Sequence, residues 1–125
     1  MTAPIRRELG DDGVMRVTLD RPRRLNSFDG ELAFGFAEAA VNATSRDDVG
    51  AILVQGEGPA FCAGGDVVAM ATSTSFGAEL TRLARTINRG LVALLESEVP
   101  VVAAAHGTTA GGGLGLLLAS DYAVV

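Results

Sequence analysis

Val101-Val102-Ala103-Ala104-Ala105-His106-Gly107-Thr108-Thr109-Ala110-Gly111-Gly112-Gly113-Leu114-Gly115-Leu116-Leu117-Leu118 is the stretch on which the reading of this chain turns. Its first five residues, after Pro100, are a short apolar run of the kind found in buried strands. Three glycines then lead into Leu114 to Ser120, so apolar that the pattern predicts a helix buried all round. A strand, a glycine turn and a helix in this order present main-chain N–H groups to a cleft. Glycine permits positive φ and close approach, and a helix N-terminus carries unpaired donors in a favourable dipole. A second glycine cluster lies upstream. Ala51-Ile52-Leu53-Val54-Gln55 reads as a strand covered on both faces, and Gly56-Glu57-Gly58-Pro59-Ala60-Phe61-Cys62-Ala63-Gly64-Gly65-Asp66 opens a glycine-rich loop running to Met70. Two N–H groups converging on one point form an oxyanion hole for charge developing on a carbonyl oxygen. Tight turns with close packing are the alternative reading of the same clusters.

Working outward, Val14 to Asp20 alternates apolar Met15, Val17 and Leu19 with polar neighbours, a half-buried strand. Gly10-Asp11-Asp12-Gly13 reads as a hairpin turn, with Ile5 to Leu9 as the partner strand. Asp29 caps a helix whose Leu32, Phe36, Ala39, Ala40 and Ala43 share one face, ending near Thr44. Ala71 to Phe76 reads as a mobile polar stretch. Leu80, Leu83, Ala84, Ile87, Leu91, Leu94 and Leu95 then form the stripe of a long helix, with Arg82, Arg85 and Arg89 on a solvated face, docking onto a ligand phosphate or a subunit neighbour being the alternative. Asp121 to Val125 begins a last strand. Its apolar edge has nothing drawn to cover it, so the sequence is expected to be a fragment: one partial α/β domain over residues 1–125.

Composition removes several function classes. The chain has 125 residues, 10 Lys+Arg against 15 Asp+Glu, and a formal net charge of −5, which argues against nucleic-acid or anionic-membrane binding. Every cation is arginine, so a P-loop and a Schiff-base lysine are both ruled out of this chain. One cysteine and one histidine offer neither an internal disulfide nor a zinc cluster. Met1 to Gly10 lacks the apolar core of a secretory signal, and no apolar run suits a membrane helix, so the cytoplasm is the expected compartment.

Four stretches together resemble the crotonase superfamily, the enoyl-CoA hydratase/isomerase family, over its N-terminal half. They are Arg21-Pro22 with Leu25-Asn26-Ser27-Phe28; Ala60 to Val67; Val99 to Gly107; and Ala110 to Gly115 with Ala119-Ser120-Asp121. The resemblance implies a spiral of ββα units and an acyl-CoA thioester as substrate, with no separate cofactor or metal. It also implies a homotrimer or hexamer in full-length members. It places the oxyanion donors on the N–H groups of Gly65 and Gly112. It runs CoA along Leu25, Asn26 and Ser27, with adenine near Ala63, Asp66 and Val67. A basic residue common in relatives is Val68 here, and Arg24 or Arg23 stands in as the phosphate contact.

One departure narrows the chemistry. Hydratases of the family use two glutamates; the first position is Gly115 here and the second falls beyond Val125. The resemblance therefore implies an isomerase-like or divergent member rather than a two-glutamate hydratase. The alternative is a non-catalytic remnant that serves only as a CoA-binding or interaction module. His106 is expected to be a hydrogen-bonded structural residue, Cys62 a packing residue, Asp66 a loop-organising carboxylate accepting backbone N–H bonds, and Asp121 an anchor for the end of the buried helix.

Overall fold

The alternating residues of Val14 to Leu19 and the apolar runs that follow build one sheet. In the computed structural model, which describes residues 3–71 and 74–125 without the side chains of Val67 and Ala69, five strands lie in chain order. They are β1 (Ile5–Leu9), β2 (Val14–Leu19), β3 (Ala51–Gly56), β4 (Val101–Ala104) and β5 (Tyr122–Val124). The β1–β2 hairpin is antiparallel, with Ile5 opposite Leu19, and the remaining pairs are parallel. Register puts Met15 beside Ile52 beside Val101, and Val17 beside Val54 beside Ala103. All six are buried, so these rows form the inner face of the sheet.

The expectation that β3 is covered on both faces is corrected. Ile52 and Val54 are buried, whereas Ala51, Leu53 and Gln55 on the opposite face are only half-buried. The helices supply one covering layer, against the inner rows.

That layer has four members: α1 (Gly30–Ser45), α2 (Val67–Met70), α3 (Phe76–Leu95) and α4 (Gly112–Ala119). Asp29 caps α1 by accepting from the Leu32 N–H at 2.9 Å. The loop expected to run to Met70 closes in the single turn of α2, too short for periodicity to reveal. The α3 helix begins at Phe76, inside the stretch read as polar and mobile, with Thr72 and Ser73 of that stretch outside the described residues. Its buried stripe is narrower than expected. Leu83, Ile87, Gly90 and Leu94 are covered, Leu91 is half-covered, and Leu80, Ala84 and Leu95 face outward.

A larger correction concerns α4. Gly113, Leu116 and Ala119 are buried, but Leu114 is 49% and Leu118 75% exposed. The α3 helix and the sheet cover one side of α4 only, so its uniform apolarity exceeds what this chain can bury.

The tightest joint of the layer is α1 against α3. Phe36 is fully buried, its ring 5.9 Å from that of Phe28, and it lies over Gly90. A methyl group at residue 90 would come 2.8 Å from Phe36 Cδ2 and closer still to Cε2. Alanine normally favours a helix interior over glycine by about 1 kcal/mol, whereas overpacking a rigid core costs about 1–3 kcal/mol. The ring has nowhere to retreat, so Gly90→Ala is expected to lower unfolding free energy by about 1 kcal/mol or more; chemical denaturation checks it, and a stabilised variant would show that Phe36 can yield.

Candidate active site

Beyond the C-terminal ends of β3 and β4 the chain lays three irregular segments side by side. Phe28 donates its N–H to Gly64 O at 2.6 Å and accepts at its own oxygen from the Asp66 N–H at 2.8 Å, a parallel bridge with Gly65 at its centre. Cys62 is bridged likewise to Thr109: its N–H reaches Thr108 O at 3.3 Å and its oxygen receives the Ala110 N–H at 3.1 Å. The two glycine clusters are thereby held on adjacent segments. Gly64 (φ 105°) and Gly111 (φ 52°) lie in backbone regions closed to most side chains, and a Cβ on Gly111 would sit 3.3 Å from the Gly64 Cα. A Cβ on Gly113 would meet Cys62 Cβ at 2.8 Å, so the third glycine is there for close packing.

These bonds orient the two amides picked out from the sequence. A trans peptide is planar, with its N–H pointing opposite to its C=O. Gly64 C=O points at Phe28, so the Gly65 N–H points away from the bridge. Gly111 C=O accepts from the Gly115 N–H at 3.1 Å along α4, so the Gly112 N–H leaves the helix N-terminus. Among the described residues, neither N–H has a main-chain acceptor. Both glycines border the same side of α3. A Cβ on Gly65 would lie 3.8 Å from Leu83 and from Met70, and one on Gly112 would lie 3.8 Å from Ile87 and 3.0 Å from the Phe28 ring.

The loop before Phe28 is strained and compensated. Leu25 and Asn26 are both left-handed, at φ 55° and 54°, which costs of order 1–2 kcal/mol per residue. Asn26 is fully buried: its amide donates to Glu57 O and Ala60 O, both at 2.9 Å, and its Oδ1 accepts from the Arg21 N–H at 2.7 Å. Its side chain thus holds the loop and leaves only backbone for a ligand. Leu25 is 42% exposed and Ser27 is buried. Ala63 commits its N–H to Leu25 O at 3.1 Å, so the carbonyl is what it can offer an adenine. Val67 starts α2; its side chain lies outside the described residues.

Asp66 is buried and, as a loop-organising carboxylate, pairs with two arginines. Arg24 approaches Oδ1 at 2.9 Å and Oδ2 at 3.3 Å, and Arg21 approaches Oδ2 at 3.0 Å. Asp66 in turn raises the pKa of Arg24, first by hydrogen bonding and then by charge. The expected phosphate contact is therefore already spoken for by a carboxylate, leaving a half-exposed guanidinium edge. Val68 is 68% exposed, and Arg23 also lies at the surface.

A cleft of about 470 Å³ opens between α1, α2 and α3, with Met70 and Leu83 in its lining beside Gly65. Ala33 and Phe34 continue its apolar wall, and Asp29, Glu79, Arg82 and Thr86 supply polar groups. Of these polar groups, the sequence marked Asp29 as a helix cap and Arg82 as one of a solvated arginine stripe, and did not mark the others. The available signal was their spacing on α3, where Glu79, Arg82 and Thr86 neighbour Leu83 on one helical face.

The other candidates resolve simply. A ring nitrogen of His106 bonds the Gly58 carbonyl, joining the two loops. Asp121 accepts from the Val101 N–H at 2.8 Å, so it ties the foot of β4 to the end of α4. Arg89 pairs with Glu38 at 3.1 Å and stands over the Phe34 ring. Among the described residues no cluster suits a metal ion, and no helix is long and apolar enough to cross a membrane.

Cys62 is fully buried, and burial pushes its thiol up to about 11, against a weaker opposing hydrogen bond from the Gly64 backbone. The folded pKa exceeds the ordinary value of 9.0, so the unfolded chain releases this proton first as pH rises. Stability contributed by the neutral thiol is then lost between about pH 9 and 11. Near neutral pH a disulfide reagent is expected to label Cys62 only on unfolding; rapid labelling of the folded chain would show an accessible thiolate.

Comparison with known proteins supplies the family and the fold. The family model for enoyl-CoA hydratase/isomerase matches residues 10–125. A 4-chlorobenzoyl coenzyme A dehalogenase from Arthrobacter sp is 36% identical over 90% of this chain and 42% of its own length. The 1,2-epoxyphenylacetyl-CoA isomerase of Escherichia coli is 34% identical over 91% of this chain and 44% of its own. The crystal structure of an enoyl-CoA hydratase from Mycobacterium smegmatis superposes with a TM-score of 0.90 at 25% identity, covering 98% of this chain and 47% of that one. The chain thus spans about half the length of the curated relatives it matches. With its crotonase-type α/β fold and a family match running from the hairpin turn to its last residue, the chain belongs to the enoyl-CoA hydratase/isomerase family.

Proposed function

We propose that this protein binds an acyl-CoA thioester and stabilises negative charge on the thioester oxygen between the N–H groups of Gly65 and Gly112. The observation that carries the reading is the pair of amides turned away from main-chain partners on adjoining loops, both beside the same face of α3. Preorganised donors of this kind need no rearrangement as charge develops, and one such donor is worth ~10²–10³ in rate. The nucleotide end of CoA would lie along Leu25 to Ser27, using the Ala63 carbonyl. The acyl group would enter the cleft past Met70 and Leu83.

The reaction within the family is set by the carboxylate that moves the proton. Gly115 offers none on the second turn of α4, so isomerase-like or divergent enolate chemistry is preferred to two-glutamate hydration. The same residue supports a second reading, a thioester-binding module without acid–base chemistry. Trimeric or hexameric assembly and a cytoplasmic setting belong to the first reading by family.

Enolate formation by a 3-oxoacyl-CoA tests the proposal, because the enolate has its own ultraviolet band. Binding is expected to bring that band out at a lower pH than in free solution. Gly112 is the first residue of α4, where helix geometry accepts proline, although the added Cβ would press on the Phe28 ring at 3.0 Å. Gly112→Pro deletes the N–H and is expected to weaken enolate stabilisation ~10²–10³-fold, with folding checked by circular dichroism. A wild-type protein that binds the thioester no better than adenosine 3′,5′-diphosphate, or that never shifts the band, overturns the assignment.

A further inference from the structure

The Gly64–Gly65 peptide is flanked by two residues lacking Cβ, so little intrinsic sterics opposes its rotation. Its orientation is set by the bond its own carbonyl makes and by what holds the residue after it. Upstream, Gly64 O is bonded to the Phe28 N–H; downstream, the Asp66 N–H is bonded to Phe28 O. The Asp66 carboxylate, 3% exposed, is gripped by Arg24 at 2.9 Å and Arg21 at 3.0 Å. Arg21 also donates to Ser27 O at 2.8 Å and pairs with Asp29, the cap of α1, at 3.2 Å. One guanidinium therefore joins the residue after Gly65, the strained loop before Phe28 and the start of α1.

Charge points the same way. A lone carboxylate beside Gly65 would oppose a neighbouring oxyanion. Two guanidiniums on Asp66 reverse the local sign, and Asp29 brings the four-group set back to neutrality. The field left near Gly65 is then no longer that of an unpaired anion.

We propose that Asp66 and Arg21 are positioning residues for the Gly65 amide, holding its N–H toward the thioester oxygen and cancelling the carboxylate's own repulsion. This rests on the oxyanion reading above and adds the device that keeps one donor aimed. Arg24, half-exposed, pairs with the carboxylate from the solvent side.

The test compares two ligands in the whole protein: a 3-oxoacyl-CoA, whose enolate presents the oxyanion, and an S-alkyl-CoA thioether of equal chain length, which has no carbonyl oxygen. Asp66→Asn also frees Arg24 beside the CoA path, so the readout is the ratio of the two affinities: the enolate is expected to lose tenfold or more beyond any loss in thioether binding. Arg21→Lys, which keeps the charge without the forked geometry, is expected to show the same split more weakly, and it serves if the asparagine variant fails to fold. Equal losses for both ligands would mean a merely structural ion pair, and unchanged enolate binding would mean that Phe28 alone suffices; either overturns the proposal. A wild-type protein with no preference for the enolate over the thioether would instead overturn the oxyanion reading beneath it.

Discussion

Phe28 is bonded through its main chain to both sides of Gly65, and its buried ring lies against Gly112. One residue therefore sets the spacing between two loops that leave different strands. Its N–H and C=O are fully used, and its ring packs on Phe36 in the α1–α3 joint. The consequence is mechanical. The loop geometry cannot change without disturbing the hydrophobic core, and the core cannot repack without moving the glycines. A site built from backbone amides has no side-chain rotamers to correct an error, so its precision must come from such shared constraints.

The same logic explains why the site is rich in glycine yet rigid. Gly64 and Gly111 take conformations other residues avoid, and Gly113 lets α4 close on Cys62. Left alone these positions would be soft. Parallel bridges, the Asn26 amide and the arginine pair on Asp66 supply the missing restraint. Backbone strain at Leu25 and Asn26 is tolerated because Asn26 satisfies three main-chain groups from one buried side chain.

Much of this was legible in the residues. Period-two alternation located β2, the Asp29 cap located α1, and apolar runs located β3 and β4. Both glycine clusters were readable either as tight, closely packed turns or as sources of free amides, and the local sequence did not choose between the two. Other features were invisible for physical reasons. A four-residue helix such as α2 has no periodicity to detect. Hydropathy reports a preference for burial, not whether a neighbour exists to provide it, which is why Leu118 and Leu114 lie open on an apolar helix. The Arg24–Asp66 pair spans 42 positions, and nothing local distinguishes an arginine meant for a carboxylate from one meant for a phosphate. Arg82 reads as part of an ordinary solvated helix face until α1 and α2 are placed beside it.

The central claim is that two particular amides face one oxygen. Amide NMR of the protein labelled at glycine measures this directly, with residues 65 and 112 assigned by single substitutions. Addition of a thioester is expected to move both resonances downfield together, at one shared affinity, while an S-alkyl-CoA that occupies the same site leaves them nearly in place. Movement of only one amide, or equal movement with the thioether, would contradict the account.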